Sequence, residues 1–299
     1  MENNRNPLKK NISEIFSLLF ICFGLGTALS ALWISALEIP FSSASLPYLT
    51  EKQALSLGWA NAIQQFFFFL APWLWFRYRS PQFNVEQKSG LHFNDFKVKN
   101  TLIIFLLIAL LTITSFGWIE SLSGLNHFIL ESLPSLKNIL VSKNNDALII
   151  QEKILSQNTM NGILQTIFLM SIVPGFLEEI FFRGLILHWL KQKINVHVAI
   201  WLVGLLFSII HFEWEGFIPR WALGAGLGYV YHCTGKLWFP ILAHVGNNLI
   251  SIALFHYFQA LNTPHDHWAS NPMTWLVSTI LFFGLAVLFY RKTQVLNKP

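Results

Sequence analysis

The chain has 299 residues, of which 54% are hydrophobic and only 12% charged, with a formal net charge of +5. A soluble domain carries about 25% charged residues, so this composition excludes a water-facing exterior and leaves lipid as the solvent for most of the surface. The positive charge forms no basic stripe interleaved with aromatics, which excludes nucleic acid as a partner.

Apolar stretches able to cross a hydrocarbon core, which takes about 20 residues, recur along the chain at 14–37, 56–77, 101–118, 160–190, 197–214, 217–233, 237–259 and 273–290. The first follows Arg5, Lys9 and Lys10, and Ala28-Leu29-Ser30 loosely resembles a cleavage site. The apolar run continues unbroken to Leu37, so an uncleaved first span is expected. The segment 119–159 mixes apolar runs with charges and predicts an amphipathic or re-entrant helix at the membrane surface. The stretch 160–190 is too long for a simple span and contains Pro174-Gly175, which predicts a kinked or broken helix.

Orientation follows from Lys and Arg. With an inside amino terminus, Lys9, Lys10, Arg77, Arg79, Lys97, Lys99, Lys191, Lys193, Lys236, Arg291 and Lys292 all fall on the inner side. Outer segments hold Lys52, Lys137, Lys143, Lys153 and Arg220. The bias recurs loop by loop and predicts both termini inside. Cys22 and Cys233 lie in apolar segments with no disulfide or metal spacing. The expected fold is therefore all-α, a polytopic membrane protein of eight transmembrane helices with a buried polar active-site cavity.

Ionisable groups inside spans are expensive and call for a reason. Glu178-Glu179-Ile180-Phe181-Phe182-Arg183 follows the Pro174-Gly175 step. Adjacent helical residues project about 100° apart, so the two carboxylates cannot share one partner. Glu179 and Arg183 are four apart and can pair, which frees Glu178 to act as a general base. A purely structural ion-pair cluster would use the same residues. His211 lies one turn after Phe207, and a lone membrane histidine is more often a hydrogen-bonded packing residue than a catalyst. Glu213 and Glu215, which follow it, read as solvating the helix end. His244 and Asn248, four apart, stack on one helix face and offer N–H donors toward one point. That geometry suits an oxyanion site or a helix–helix hydrogen bond, with Asn247 competing for the role. At 1.5 Å per residue, all three groups can share a depth in the middle to inner half of the membrane. Gly224 and Gly228 form a small-residue face for close helix packing.

Glu178-Glu179-xxx-Arg183, Phe207-xxx-His211 and His244-xxx-Asn248, in this order on separate spans, resemble the CPBP (ABI) family of intramembrane endopeptidases. That family takes in the Rce1-type CAAX prenyl proteases and bacterial bacteriocin-processing or immunity proteins. The resemblance covers about residues 160–255, and no key position departs from the pattern. It implies that Glu178 and His211 hold and activate the attacking water, that His244 and Asn248 stabilise the oxyanion, and that Glu179 with Arg183 orders the helix. Glu178, His211 and His244 could also ligate Zn2+ with an open position, and a glutamate-driven mechanism without metal is equally compatible.

The expected organisation is three spans and an outer amphipathic segment over 1–159, a catalytic core over 160–255, and a last span and tail over 256–299. The expected partners are a peptide or lipidated protein substrate and the bilayer of a bacterial plasma membrane. A catalytically silent scaffold or immunity protein and an ion-coupled transporter are the rival readings. Transporters built on inverted repeats show interrupted helices in both halves, whereas this sequence suggests only one.

Overall fold

The computed structural model describes residues 7–40, 42–79, 98–141, 145–260 and 272–296, and every regular element among them is helical. In chain order these are α1 (Pro7–Ala36), a short 3-10 turn (Leu46–Tyr48) and α2 (Glu51–Gln65, continuing through a π turn at Phe66–Leu70 into Ala71–Arg79). Next come α3 (Val98–Glu131), α4 (Pro134–Val141), α5 (Asn145–Leu155) and α6 (Met160–Leu190). The chain then forms α7 (Val196–Ile209), α8 (Phe217–Thr234), α9 (Trp238–Ala260) and α10 (Pro272–Leu296).

Among the described residues, α1, α2, α3, α6, α9 and α10 contain stretches long and apolar enough to cross a bilayer. This is a polytopic membrane protein. The other two predicted stretches are helical but stand apart from those six. α7 is apolar and only 14 residues long. α8 has 18 residues, and Arg220, His232 and its three glycines lower its hydropathy.

The ends are set by local chemistry. α2 opens on a capping box, in which Gln53 N–H donates to Thr50 Oγ1 and Thr50 N–H donates to Gln53 Oε1. Asn195 accepts from the backbone of His197 and Val198 to start α7. α8 stops at Gly235, whose φ of 65° is the left-handed conformation that glycine adopts without strain.

α6 corrects one expectation. Pro174-Gly175 does not break it. A π turn at Phe168–Ile172 precedes the proline, with Val173 N–H bonding back to Phe168 O. The wider turn accommodates a residue that lacks an N–H and would crowd an α-helical turn. Gly175 then lets α9 come close, since a Cβ there would stand 2.6 Å from the Val245 side chain. Ser171 Oγ donates to Val245 O at 2.9 Å across the same contact.

The described residues of the segment 119–159 are mostly helical, but many of them prolong α3, which runs on to Glu131. Its 34 residues span about 51 Å, more than the roughly 30 Å hydrocarbon core. α5 then folds back, burying Ile154 with Ala54, Leu55 and Leu169.

α6 is the centre of the bundle. Its Leu177, Ile180, Phe181, Phe182 and Leu185 pack with Phe69 and Trp73 of α2, Ile200 and Phe207 of α7, and Ile241 of α9. α7 and α8 approach until backbone meets backbone. A Cβ on Gly204 would lie 2.8 Å from Ala225 N, and one on Gly224 would lie 3.0 Å from Gly204 Cα. Gly228 faces Ile200 in the same way, so the small face of α8 is used as expected.

Candidate active site

Glu178 and Glu179 sit on α6 between two π turns, and Arg183 lies in the second, Phe182–Leu187. All three side chains are buried. Arg183 Nη1 donates to Glu179 Oε1 at 2.5 Å, and Nη2 donates to Gly224 O on α8 at 2.6 Å. The guanidinium also lies 5.3 Å from the Phe207 ring centroid. A buried arginine needs acceptors for its donors; the close approach of α8 at Gly224 supplies one and Glu179 another, while Nε has no partner among the described residues.

Glu179 does more than pair with arginine. Its Oε1 lies 2.8 Å from His244 Nδ1 on α9. One carboxylate oxygen therefore joins α6, α8 through Arg183, and α9. An arginine-paired carboxylate accepts, so His244 donates from Nδ1 and turns Nε2 away from Glu179.

Glu178 points elsewhere. Its Oε2 is 3.8 Å from His211 Nε2, and it is buried with no hydrogen-bond partner among the described residues. His211 Nδ1 lies 2.6 Å from Phe207 O. A carbonyl only accepts, so Nδ1 carries the proton and neutral Nε2 presents a lone pair toward Glu178. The His211 side chain is 30% exposed while that of Glu178 is 6%. The pair thus bridges the accessible surface and the buried cluster. Phe207 is the platform for both imidazoles, with ring centroids 4.9 Å from His211 and 5.7 Å from His244.

His211 lies just past the end of α7, where Phe212 takes a φ of 53°. Residues that hold this turn escaped the sequence reading. Asn126, on the prolonged α3, donates to Trp214 O at 2.9 Å and Glu215 O at 2.7 Å, and accepts from Ile218 N–H at 3.1 Å. Ser208 Oγ donates to Phe217 O at 2.7 Å. Glu213 does not merely solvate the helix end, because it pairs with Arg220, whose Nη1 also donates to Glu213 O at 2.9 Å. The faint sequence signal was an asparagine near the end of a long apolar helix.

The structure brings Glu178 to His211, and Glu179 to Arg183 and His244. Asn248 lies one turn beyond His244 on α9, half-buried, and its hydrogen bond among the described residues runs to the Asn247 amide at 3.5 Å. Asn247 is the more buried of the two, with an unpartnered Oδ1. The possible zinc set of Glu178, His211 and His244 does not fit a metal as placed. No group of three His, Cys, Asp or Glu side chains among the described residues converges as ligands do. Nδ1 of each histidine is committed to an oxygen, Phe207 O or Glu179 Oε1, which leaves Nε2 as the only ring nitrogen of each that could ligate.

Residues 160–250 match the family model described as type II CAAX prenyl endopeptidase Rce1-like. Two proteins of Bacillus subtilis (strain 168) are similar over part of the chain. One, named "Putative membrane peptidase YdiL", is 31% identical over 105 residues, which is 33% of this chain and 43% of that protein. The other, named "Uncharacterized protein YpbD", is 33% identical over 121 residues, which is 39% of this chain and 58% of that protein. No solved structure matches.

Proposed function

We propose that this chain, which belongs through residues 160–250 to the Rce1-like type II CAAX prenyl endopeptidase (CPBP) family, is a membrane-embedded endopeptidase cleaving a peptide bond of a membrane-associated or lipidated substrate. The observation that carries the reading is the buried, unpartnered Glu178 Oε2 facing His211 Nε2 at 3.8 Å.

Two acceptors at that separation can each take one hydrogen of a single water. The water's lone pairs then point outward toward a substrate carbonyl. Glu178 accepts the proton as the water attacks and delivers it to the leaving amine. His211, its tautomer fixed by Phe207 O, holds the water without competing for that proton.

The tetrahedral intermediate needs donors. His244, its Nδ1 given to Glu179, presents Nε2 as the ring nitrogen available to the oxyanion. Asn248, one turn along α9, supplies an amide N–H to the same oxyanion. Glu179 and Arg183 are positioning residues that fix His244 and tie α6 to α8. The chemistry uses side chains alone.

The topology proposed with this mechanism has α7 and α8 spanning together with the six longer helices, both termini inside, in a bacterial plasma membrane. Residues 160–255 form the catalytic core. Residues 1–159 and 256–299 flank it and contribute to substrate choice.

The test is quantitative mass spectrometry of membrane proteins from cells carrying the wild-type chain, Glu178→Gln or no protein. A substrate cleaved only with the wild type supports the reading. Identical peptide profiles in all three sink it and favour a silent scaffold.

A further inference from the structure

A cavity lies away from Glu178 and His211, where the carboxyl ends of α6 and α8 meet the start of α7. It holds about 620 Å³ and is lined by Leu187, His188, Lys191, Gln192, Val196, Tyr231, His232 and Gly235. We propose that this cavity binds the phosphate group of an anionic lipid headgroup or a free phosphate ester at the inner face of the membrane.

The lining chemistry is one-sided. One lysine, two histidines and a glutamine carboxamide face the space, and among the described residues no carboxylate lines it. Lys191 is exposed, and its Nζ lies 5.7 Å from the Tyr231 ring centroid, within reach of a cation–π contact at the cavity wall. His188 is buried, with its Nε2 3.3 Å from Gln192 Nε2, so a polar side chain of the last turn of α6 and one just past its end are held together at the wall. His232 extends the polar rim toward His197, whose ring centroid is 5.9 Å away. Gly235 closes α8 in a left-handed conformation, and a Cβ there would touch nothing within 4 Å, so this edge of the cavity is open.

Size and place agree with the charge. Small-ligand cavities run from about 300 to 1,000 Å³. Lys191, Lys193 and Lys236 belong to the inner side in the proposed orientation, and the cytoplasmic leaflet is where anionic headgroups concentrate. The alternative role for these cations is to complement the carbonyl ends of α6 and α8. That role requires no ligand, which makes the two distinguishable. The proposal is independent of peptidase activity, since Lys191 and His232 lie outside the proposed catalytic group.

The experiment is native mass spectrometry of the full chain in detergent, with phosphatidylglycerol, phosphatidylcholine or glycerol phosphate added in separate arms. The wild type should retain phosphatidylglycerol at least about tenfold better than phosphatidylcholine, an energy difference of about 1.4 kcal/mol. The Lys191→Gln/His232→Gln double variant should lose that preference, and Val196→Trp, which fills the cavity without altering charge, should lose it too. Lys191→Arg should keep it. Binding of glycerol phosphate equal to that of the lipid assigns the site to a soluble ester and supports the phosphate chemistry. Equal retention of phosphatidylglycerol by the wild type, the double variant and Val196→Trp overturns the proposal and leaves the cations as helix-end complements.

Discussion

His211 Nε2 faces Glu178 Oε2 at 3.8 Å while the opposite ring nitrogen is fixed 2.6 Å from the Phe207 carbonyl. The imidazole is therefore oriented by its own helix end, and Glu178 is left with a buried oxygen that nothing else in the described structure satisfies. The neighbouring Glu179 differs in its Oε1, which Arg183 and His244 both hold, while its Oε2 is likewise buried without a partner among the described residues. In the proposed mechanism these two consecutive glutamates divide into the base and a positioning residue.

That division predicts opposite stability responses. Arg183→Ala strips the cation from a buried carboxylate and should destabilise the protein by about 3–5 kcal/mol. Arg183→Lys should recover little of this, since one ammonium cannot reproduce the fork that reaches Glu179 and Gly224 O together. Glu178→Gln breaks no hydrogen bond of the buried Oε2 among the described residues and should leave the melting temperature in detergent unchanged. Thermal unfolding followed by intrinsic fluorescence separates the two responses.

The 2.8 Å contact between Glu179 Oε1 and His244 Nδ1 should appear as energetic coupling. In a double-mutant cycle on kcat/KM with Glu179→Gln and His244→Gln, the interaction energy should lie in the range of about 0.5–3 kcal/mol found for residues in one network. The loss should fall on kcat rather than KM, because the contact orients a group used in the transition state. Additive effects would mean that Glu179 serves only Arg183.

Asn126 should matter to catalysis from outside the catalytic group. Asn126→Leu leaves Trp214 O, Glu215 O and Ile218 N–H without their partner, at about 1–3 kcal/mol for each group left buried and unsatisfied. Amide exchange over residues 212–218 should accelerate. The cleavage rate should fall with the loosened turn that carries His211, while Asn126→Asp, which keeps the acceptor for Ile218 N–H, should lose less.

The α7–α8 contact gives a paired test of backbone proximity. Gly204→Ala places a methyl 2.8 Å from Ala225 N and 2.9 Å from Trp221 O, neither of which is a movable side-chain end. Destabilisation of about 1–3 kcal/mol is expected from such overpacking. Gly226→Ala, two residues past Gly224 on the same helix, meets nothing within 4 Å and should be neutral or slightly stabilising. Similar losses at both positions would contradict the packing described.

Much of this was legible in the sequence because lipid makes charge conspicuous. Glu178, Glu179 and Arg183 stand out inside an apolar stretch, and the four-residue spacing of Glu179 and Arg183 fixed their pairing. The link from Glu179 to His244 joins residues 65 apart in sequence, and no local spacing encodes it. Asn126 acts on a turn nearly ninety residues later, so its role depends on α3 running past the membrane core. Pro174 read as a break because the sequence carries no sign of a π turn, whereas the structure absorbs the proline by widening the preceding turn. α7 and α8 read as ordinary spans, yet they are shorter or more polar than the other six, and backbone contact through Gly204 and Gly224 defines them.

The most direct measurement of the central claim is cleavage of a membrane-embedded substrate by purified, reconstituted protein, comparing wild type with Glu178→Gln. Removal of the general base should slow cleavage by at least about 10²-fold, with an unchanged melting temperature and no recovery on adding zinc. Cleavage by Glu178→Gln at the wild-type rate would contradict the assignment of Glu178 as the base and with it the mechanism built on its pairing with His211.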